Sequence, residues 1–255
     1  KGPQTDGFWA AFRFNPRVAV APDDRTLYVA CRDGRKLLAV DTHTGEVSRS
    51  VPLSPGPGGI AIAPGGRRLY VTCPAPESAV VVLAAPSLKK VRSFAAGHTA
   101  TAPCLSPDGK RLYVCNRFND AVAVMDASSG ETIAGAAVTR EPVAAALTPD
   151  GRHLVVANHL PLEPADGFLV RGAVTIIDTN TLKATRVRLP DGSMALRDVA
   201  ILPGGTHAMV THVIGTYTLV TTQVSQGWIN TGAVSVIDIE KKKFDSNALL
   251  DSFFK

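Results

Sequence analysis

An all-β architecture of repeated four-stranded units follows from three features of the sequence. One motif recurs five times at near-constant spacing, the apolar runs are strand-sized without a sustained helical period, and turn residues are abundant. Gly 22 and Pro 18 among 255 residues are a turn load that argues against a helical bundle. Hydrophobic residues make up 45% and charged residues 19%, which supports a packed core and excludes a disordered chain. The longest apolar runs, such as 80–85, are far shorter than the roughly 20 residues of a membrane helix.

The repeated motif is an apolar run, a Pro-Asp or Pro-Gly turn, and a second apolar run. It occupies 18–31, 60–73, 103–116, 144–158 and 199–212. The residue after the proline is Asp23, Gly65, Asp108, Asp150 and Gly204, at spacings of 42, 43, 42 and 54. Proline presets φ for such a turn and glycine accepts the positive φ that follows. Val, Ile, Tyr and Leu fill both flanking runs, so the second strands are expected at 26–31, 68–73, 111–116, 153–158 and 207–212. A third strand ends at Asp41, Leu83, Asp126, Asp178 and Asp238, and turns such as Thr-His-Thr-Gly-Glu lead into a more polar fourth strand. The aspartates repeat because the turn repeats. Four strands per roughly 42 residues make one blade of a β-propeller. The expected blades are 15–53, 58–97, 101–141, 143–190 and 198–245, within a single domain spanning 1–255. Only 245–254 reads as a short helix.

The stretch SPDGKRLYVCN at 106–116, with weaker copies LYVAC at 27–31 and LYVTC at 69–73, resembles the YVTN family of bacterial β-propellers. The resemblance covers roughly 15–240. It implies a WD40-like repeat protein with a seven-bladed ring, of which the five visible blades are an incomplete part. The chain opens on Lys1 with no charged-then-apolar leader, as a mature form or a fragment would.

The repeat also works as a ruler. From the turn residue to the end of the third strand takes 18 residues in the first three blades, 28 in the fourth and 34 in the fifth. Both insertions fall between second and third strands, on the rim shared with the connections between blades, and are therefore expected side by side. Long loops on a rigid scaffold are where binding usually resides. Candidate binding residues are His159, Glu163 and Asp166 in the first rim loop (159–170), and Tyr217, Gln223, Gln226, Trp228 and Asn230 in the second (216–230). Arg197 and His212 stand near them in the chain. Two readings fit: the loops cover each other and cap the channel, or they hold a ligand or a partner.

The LPLEPADG insertion at 160–167 and the TTQ, GWxNT and SVID segments resemble propellers joined to di-haem cytochrome c peroxidase-like domains in bacterial envelope proteins. That resemblance implies an exported protein, periplasmic or on the cell surface. Its propeller would bind a linked or separate protein domain of di-haem cytochrome c type. The segment has no C-x-x-C-H, so haem belongs to the linked domain and no cofactor is expected here.

Other chemistries leave weaker traces. The net charge is +5 but the basic residues are scattered, and 241–243 reads as a solvated turn, so nucleic acid is not an expected partner. Four cysteines without a C-x-x-C pair fit thiols better than a disulfide framework, and directly opposed Cys104 and Cys115 would be strained as a disulfide. Cys31, Cys73, Asn116, Asn158 and His212 close the second strands. His98, His159 and His212 could converge, yet no ligand spacing supports a metal. No nucleophile elbow, triad or phosphate loop is present. The alternatives to a binding module are a lactonase-type propeller hydrolase, with Glu163 and Asp166 as acid and base or Arg197 and Asp198 orienting a base, and a propeller that contacts haem or metal directly.

Overall fold

The computed structural model describes residues 17–164, 166–215 and 230–250. Among them are five antiparallel four-stranded sheets, each with its strands in chain order. The first holds β1 (Arg17–Val20), β2 (Thr26–Cys31), β3 (Lys36–Asp41) and β4 (Val47–Pro52). The second holds β5 (Gly59–Ile62), β6 (Arg68–Cys73), β7 (Ala79–Ala84) and β8 (Lys90–Ala95). The third holds β9 (Ala100–Leu105), β10 (Arg111–Asn116), β11 (Ala121–Asp126) and β12 (Thr132–Ala137). The fourth holds β13 (Pro142–Leu147), β14 (His153–Asn158), β15 (Ala173–Asp178) and β16 (Ala184–Arg188). The fifth holds β17 (Ser193–Ile201), β18 (His207–Gly215), β19 (Asn230–Asp238) and β20 (Lys243–Leu249). Contacts divide the chain into two compact units: the described residues of Lys1–Asn116 with Ala123–Ile133, and those of Arg117–Val122 with Ala134–Lys255.

The middle strands are buried on both faces, and this is why they read as continuous apolar runs rather than as alternating ones. In the first unit, Tyr28, Ala30 and Ala39 of the first sheet pack on Leu69, Val71 and Leu83 of the second. Tyr70 and Val82 of the second sheet in turn meet Leu112, Val114 and Met125 of the third. The Tyr70 hydroxyl, buried in that layer, donates to the Ala127 carbonyl at 3.0 Å. In the second unit, Val155, Ala157, Val174 and Ile176 of the fourth sheet pack on Val199, Val210 and Ile237 of the fifth.

The aspartates that end third strands organise the turns that follow. Asp41 Oδ1 accepts the backbone N–H groups of His43 and Thr44, Asp126 Oδ1 those of Ser128 and Ser129, and Asp178 Oδ1 those of Asn180 and Thr181. At Asp126 the Ser128 hydroxyl and these N–H groups stabilise the charged form and hold the carboxyl at about 2.

The fifth sheet departs from the sequence expectation in two ways. Its second strand does not stop at His212: β18 runs on to Gly215, and Val213, Ile214 and Gly215 pair with Gly232, Thr231 and Asn230. Part of the apparent insertion is therefore a longer hairpin, and its β-branched residues suit that conformation. Of the segment expected to be a short helix, 251–254 lie outside the described residues, and 245–249 instead belong to β20, which pairs along β19 and turns Phe244 against the core. Without it the third strand would present an unpaired edge.

Candidate functional site

Antiparallel topology puts the end of each second strand, the start of each third strand and the connection between sheets at one end of the sheets. The insertion 159–172 leaves that end between β14 and β15, and the structure anchors it at several points. His159 N–H donates to the Glu141 carbonyl at 2.8 Å, and its Nδ1 lies 3.1 Å from the Leu196 carbonyl. A carbonyl only accepts, so Nδ1 carries the proton. Further along, Val170 N–H donates to Asp191 Oδ1 at 2.9 Å, and the Val170 carbonyl accepts Gly192 N–H at 2.9 Å.

Glu163 clasps the loop shut. One carboxylate oxygen accepts Arg171 N–H at 3.1 Å; the other lies 3.3 Å from both the Arg171 guanidinium and Arg188 Nε. Partial burial pushes the Glu163 carboxyl upward, but the Arg171 N–H and guanidinium outweigh it and hold the group below its usual range. A carboxylate so engaged is ionised and braced, which is the wrong state for a general acid. Asp166 is exposed, with no hydrogen-bond or ion-pair partner among the described residues. Replacing Glu163 with Ala is expected to loosen the loop by about 1 kcal/mol. Limited proteolysis with chymotrypsin should then cut after Phe168 several-fold faster, with global stability little changed.

What the clasp presents is Phe168, whose side chain is 94% exposed, beside the partly exposed Leu169. An aromatic ring this exposed on a braced loop is unusual for a surface without a partner. A second exposed ring, Phe118, stands in the 3-10 turn Arg117–Asn119 between β10 and β11, with the Arg117 guanidinium 5.2 Å from its centroid. Arg117 is fixed in turn by Glu141 at 2.6 Å.

His212 sits elsewhere. The extension of β18 places it inside the strand, buried and facing the fourth sheet, rather than at the strand end expected from the repeat. Nδ1 faces the Val213 carbonyl at 3.3 Å and Nε2 faces the Ser235 hydroxyl at 2.8 Å. Nδ1 must donate, so Nε2 accepts from Ser235. Burial pushes the imidazole pKa down and favours this neutral form. Arg197 is exposed on β17, within the register shift between Met194 and Asp198. Asn230 opens β19, opposite Gly215. Tyr217, Gln223, Gln226 and Trp228 lie outside the described residues.

The roots of the two insertions do meet. Gly192, which holds Val170, also accepts Gly215 N–H at 2.8 Å. A Cβ at Gly192 would lie 2.3 Å from the Gly215 carbonyl oxygen, so this approach requires glycine. Reasoning from the repeat missed Arg171, Arg188 and Asp191, because bracing partners recur at no fixed spacing. The exposure of Phe168 left no signal in the sequence either.

Asn158 closes β14 and is buried, its Nδ2 donating to the Ala173 carbonyl at 2.8 Å and to Thr175 Oγ1 at 3.0 Å. None of the four cysteines is in a disulfide; Cys104 pairs across the strands with Tyr113, not with Cys115. Burial raises the Cys31 thiol and pushes Cys73 to about 11, so neither is a ready nucleophile. Among the described residues no group of three His, Cys, Asp or Glu side chains is placed to hold a metal ion. No helix among them is long and apolar enough to cross a membrane.

No protein-family model matches this sequence, and no curated protein matches it. Solved structures do. The chain is similar to Kuenenia stuttgartiensis hydrazine synthase, at 24% identity and a TM-score of 0.81 over 92% of this chain and 66% of that one. It is also similar to U3-55K, at 12% identity and a TM-score of 0.68 over 93% of this chain and 65% of that one. The WD40 repeats of RRP9 align at 13% identity and a TM-score of 0.67 over 93% of this chain and 64% of that one. The fold is a WD40-like β-propeller. At these identities the likeness extends to the fold alone, and the chain spans just under two thirds of each matched chain.

Proposed function

We propose that this chain is a propeller of the YVTN type that serves as a non-catalytic binding module. It docks a partner domain through the rim loops 159–170 and 216–230. The observation that carries the reading is Phe168, 94% exposed at the end of a loop held by the Glu163 clasp and by Asp191 and Gly192. Holding the loop in place before binding lowers the ordering cost of association, and an exposed aromatic supplies buried area once a partner arrives. The resemblance of 159–168 to propellers joined to di-haem cytochrome c peroxidase-like domains names the partner: a haem domain of an exported protein, periplasmic or on the cell surface. Haem then belongs to that domain.

The test measures binding of a di-haem cytochrome c domain to the chain. The changes Phe168→Asp and Trp228→Ala should each weaken association by about 2 kcal/mol, or roughly thirty-fold. Circular dichroism and the thermal midpoint should stay unchanged. Unchanged affinity in both variants overturns the docking reading. If the isolated chain also hydrolyses lactones or esters and loses that turnover on Glu163→Gln or His212→Ala, the hydrolase reading replaces it.

A further inference from the structure

Within the first unit, three connections of the first two sheets enclose a cleft of about 560 Å³. They are the turn 32–35 between β2 and β3, the connection 53–58 between β4 and β5, and the segment that follows β6. Glycines and prolines give the cleft its shape. Gly56 lies so close to the first turn that a Cβ would fall 2.0 Å from the Arg32 carbonyl oxygen, and no side chain fills the cleft from there. A Cβ at Gly58 would lie 2.8 Å from Cδ of Pro74. Pro55 and Pro74 supply stiff apolar walls. The 32–35 turn is pinned in place: Arg35 N–H donates to the Arg32 carbonyl at 3.0 Å, and Leu53 N–H donates to the Arg35 carbonyl at 2.8 Å.

Charge in this cleft is not compensated from within the chain. After the second strands of the third sheet and before the third strand of the fourth, Arg117 is held by Glu141 and Arg171 by Glu163. Arg32 and Arg35 both line the cleft, and neither guanidinium has a hydrogen bond or an ion pair with a described residue. Asp33 stands between them in the chain and lines the same cleft, yet it pairs with neither. We propose that the cleft binds the carboxylate of a small organic acid, with Arg32 and Arg35 on the carboxylate and the hydrocarbon part against Pro55 and Pro74. Planar guanidinium groups match a planar carboxylate with paired, charge-assisted hydrogen bonds. Two positive charges against the one negative charge of Asp33 favour a singly charged ligand over a doubly charged one. Apolar walls with a few converging polar groups are the usual make-up of a small-molecule site. The site is independent of the rim loops and of any partner domain that docks there.

The test titrates the full chain with benzoate, with benzamide as the uncharged isostere and sulfate as a doubly charged anion, and follows amide chemical shifts. Benzoate should bind saturably in the millimolar range and shift the Arg32, Gly34, Arg35 and Gly56 amides. Benzamide should leave them unmoved, and sulfate should bind several-fold more weakly than benzoate. Arg32→Gln and Arg35→Gln should each weaken benzoate by about ten-fold, and Asp33→Asn should tighten it several-fold. All three side chains are exposed, so the thermal midpoint should stay unchanged. Because Arg35 holds a φ of 47°, Arg35→Lys gives an independent reading should Arg35→Gln disturb the turn: it keeps the charge, loses the paired geometry and should weaken benzoate by less. The proposal is overturned if benzoate does not saturate, if benzamide binds equally well, or if both glutamine variants bind benzoate as the parent does. Sulfate binding as tightly as benzoate also overturns it, since the cleft would then attract anions without reading a carboxylate.

Discussion

Gly130→Ala is expected to destabilise the chain by about 3 kcal/mol or more, whereas Gly45→Ala, at the same place in the repeat, costs about 1 kcal/mol. Both glycines follow the third strand, in Asp-Ala-Ser-Ser-Gly-Glu and Asp-Thr-His-Thr-Gly-Glu. Both have positive φ, 80° and 72°, and both donate to the carbonyl of the aspartate that ends the strand, at 2.8 and 2.9 Å. The conformation itself tolerates a side chain: Leu88 and Leu182 take the same place in the second and fourth sheets at φ of 56° and 58°. The difference lies in what a Cβ meets. At Gly45 nothing lies within 4 Å; at Gly130 the Cβ would fall 2.1 Å from Cδ1 and 2.2 Å from Cγ of Phe94. Phe94 is buried and its ring is rigid, so relief requires the β8 strand or the turn to move. Urea unfolding of the two variants checks this: equal losses would show that Phe94 swings aside.

Ile176→Ala should cost about 3 kcal/mol, within the range for emptying a fully buried aliphatic site. Ile176 is completely buried between the fourth and fifth sheets, among Val155, Val210 and Ile237. The matched control is Val236, which holds the same register position in the fifth sheet on its half-exposed face. Val236→Ala should cost roughly 1 kcal/mol or less, because much of that surface is already in water. The denaturation midpoints should separate the two variants at constant m-value. Equal losses would mean that the face of the fifth sheet is covered in solution.

Much of the fold was legible because the repeat states the same local problem five times. Each Pro-centred turn between two apolar runs specifies a hairpin, and each aspartate ending a third strand specifies the next turn. The expected second strands at 26–31, 68–73, 111–116 and 153–158 coincide with β2, β6, β10 and β14. The fifth unit was harder to read for a physical reason. Strand pairing continues wherever a partner strand offers free backbone groups, and Val213–Gly232 and Ile214–Thr231 pairs form beyond the motif. Lys243–Leu249 pairs along β19 for the same reason, although five of its seven residues are polar or charged or small.

Of the candidate site, the sequence located the insertion 159–170 and named His159, Glu163 and Asp166, but it could not assign their roles. Three carboxylate-bearing and imidazole side chains in a loop look alike whether they catalyse, bind or brace. Only the folded chain brings Arg171 and Arg188 to Glu163, the Leu196 carbonyl to His159, and water to Asp166 and Phe168. The sequence by itself determined the period, the strands and the turns, because these depend on contacts between residues near in the chain. Tertiary structure alone decided which glycine is crowded, which histidine is buried and which valine is bare. Those properties depend on what a neighbouring sheet or loop places within a few ångströms, and residues far apart in the chain carry no local mark of where they will meet.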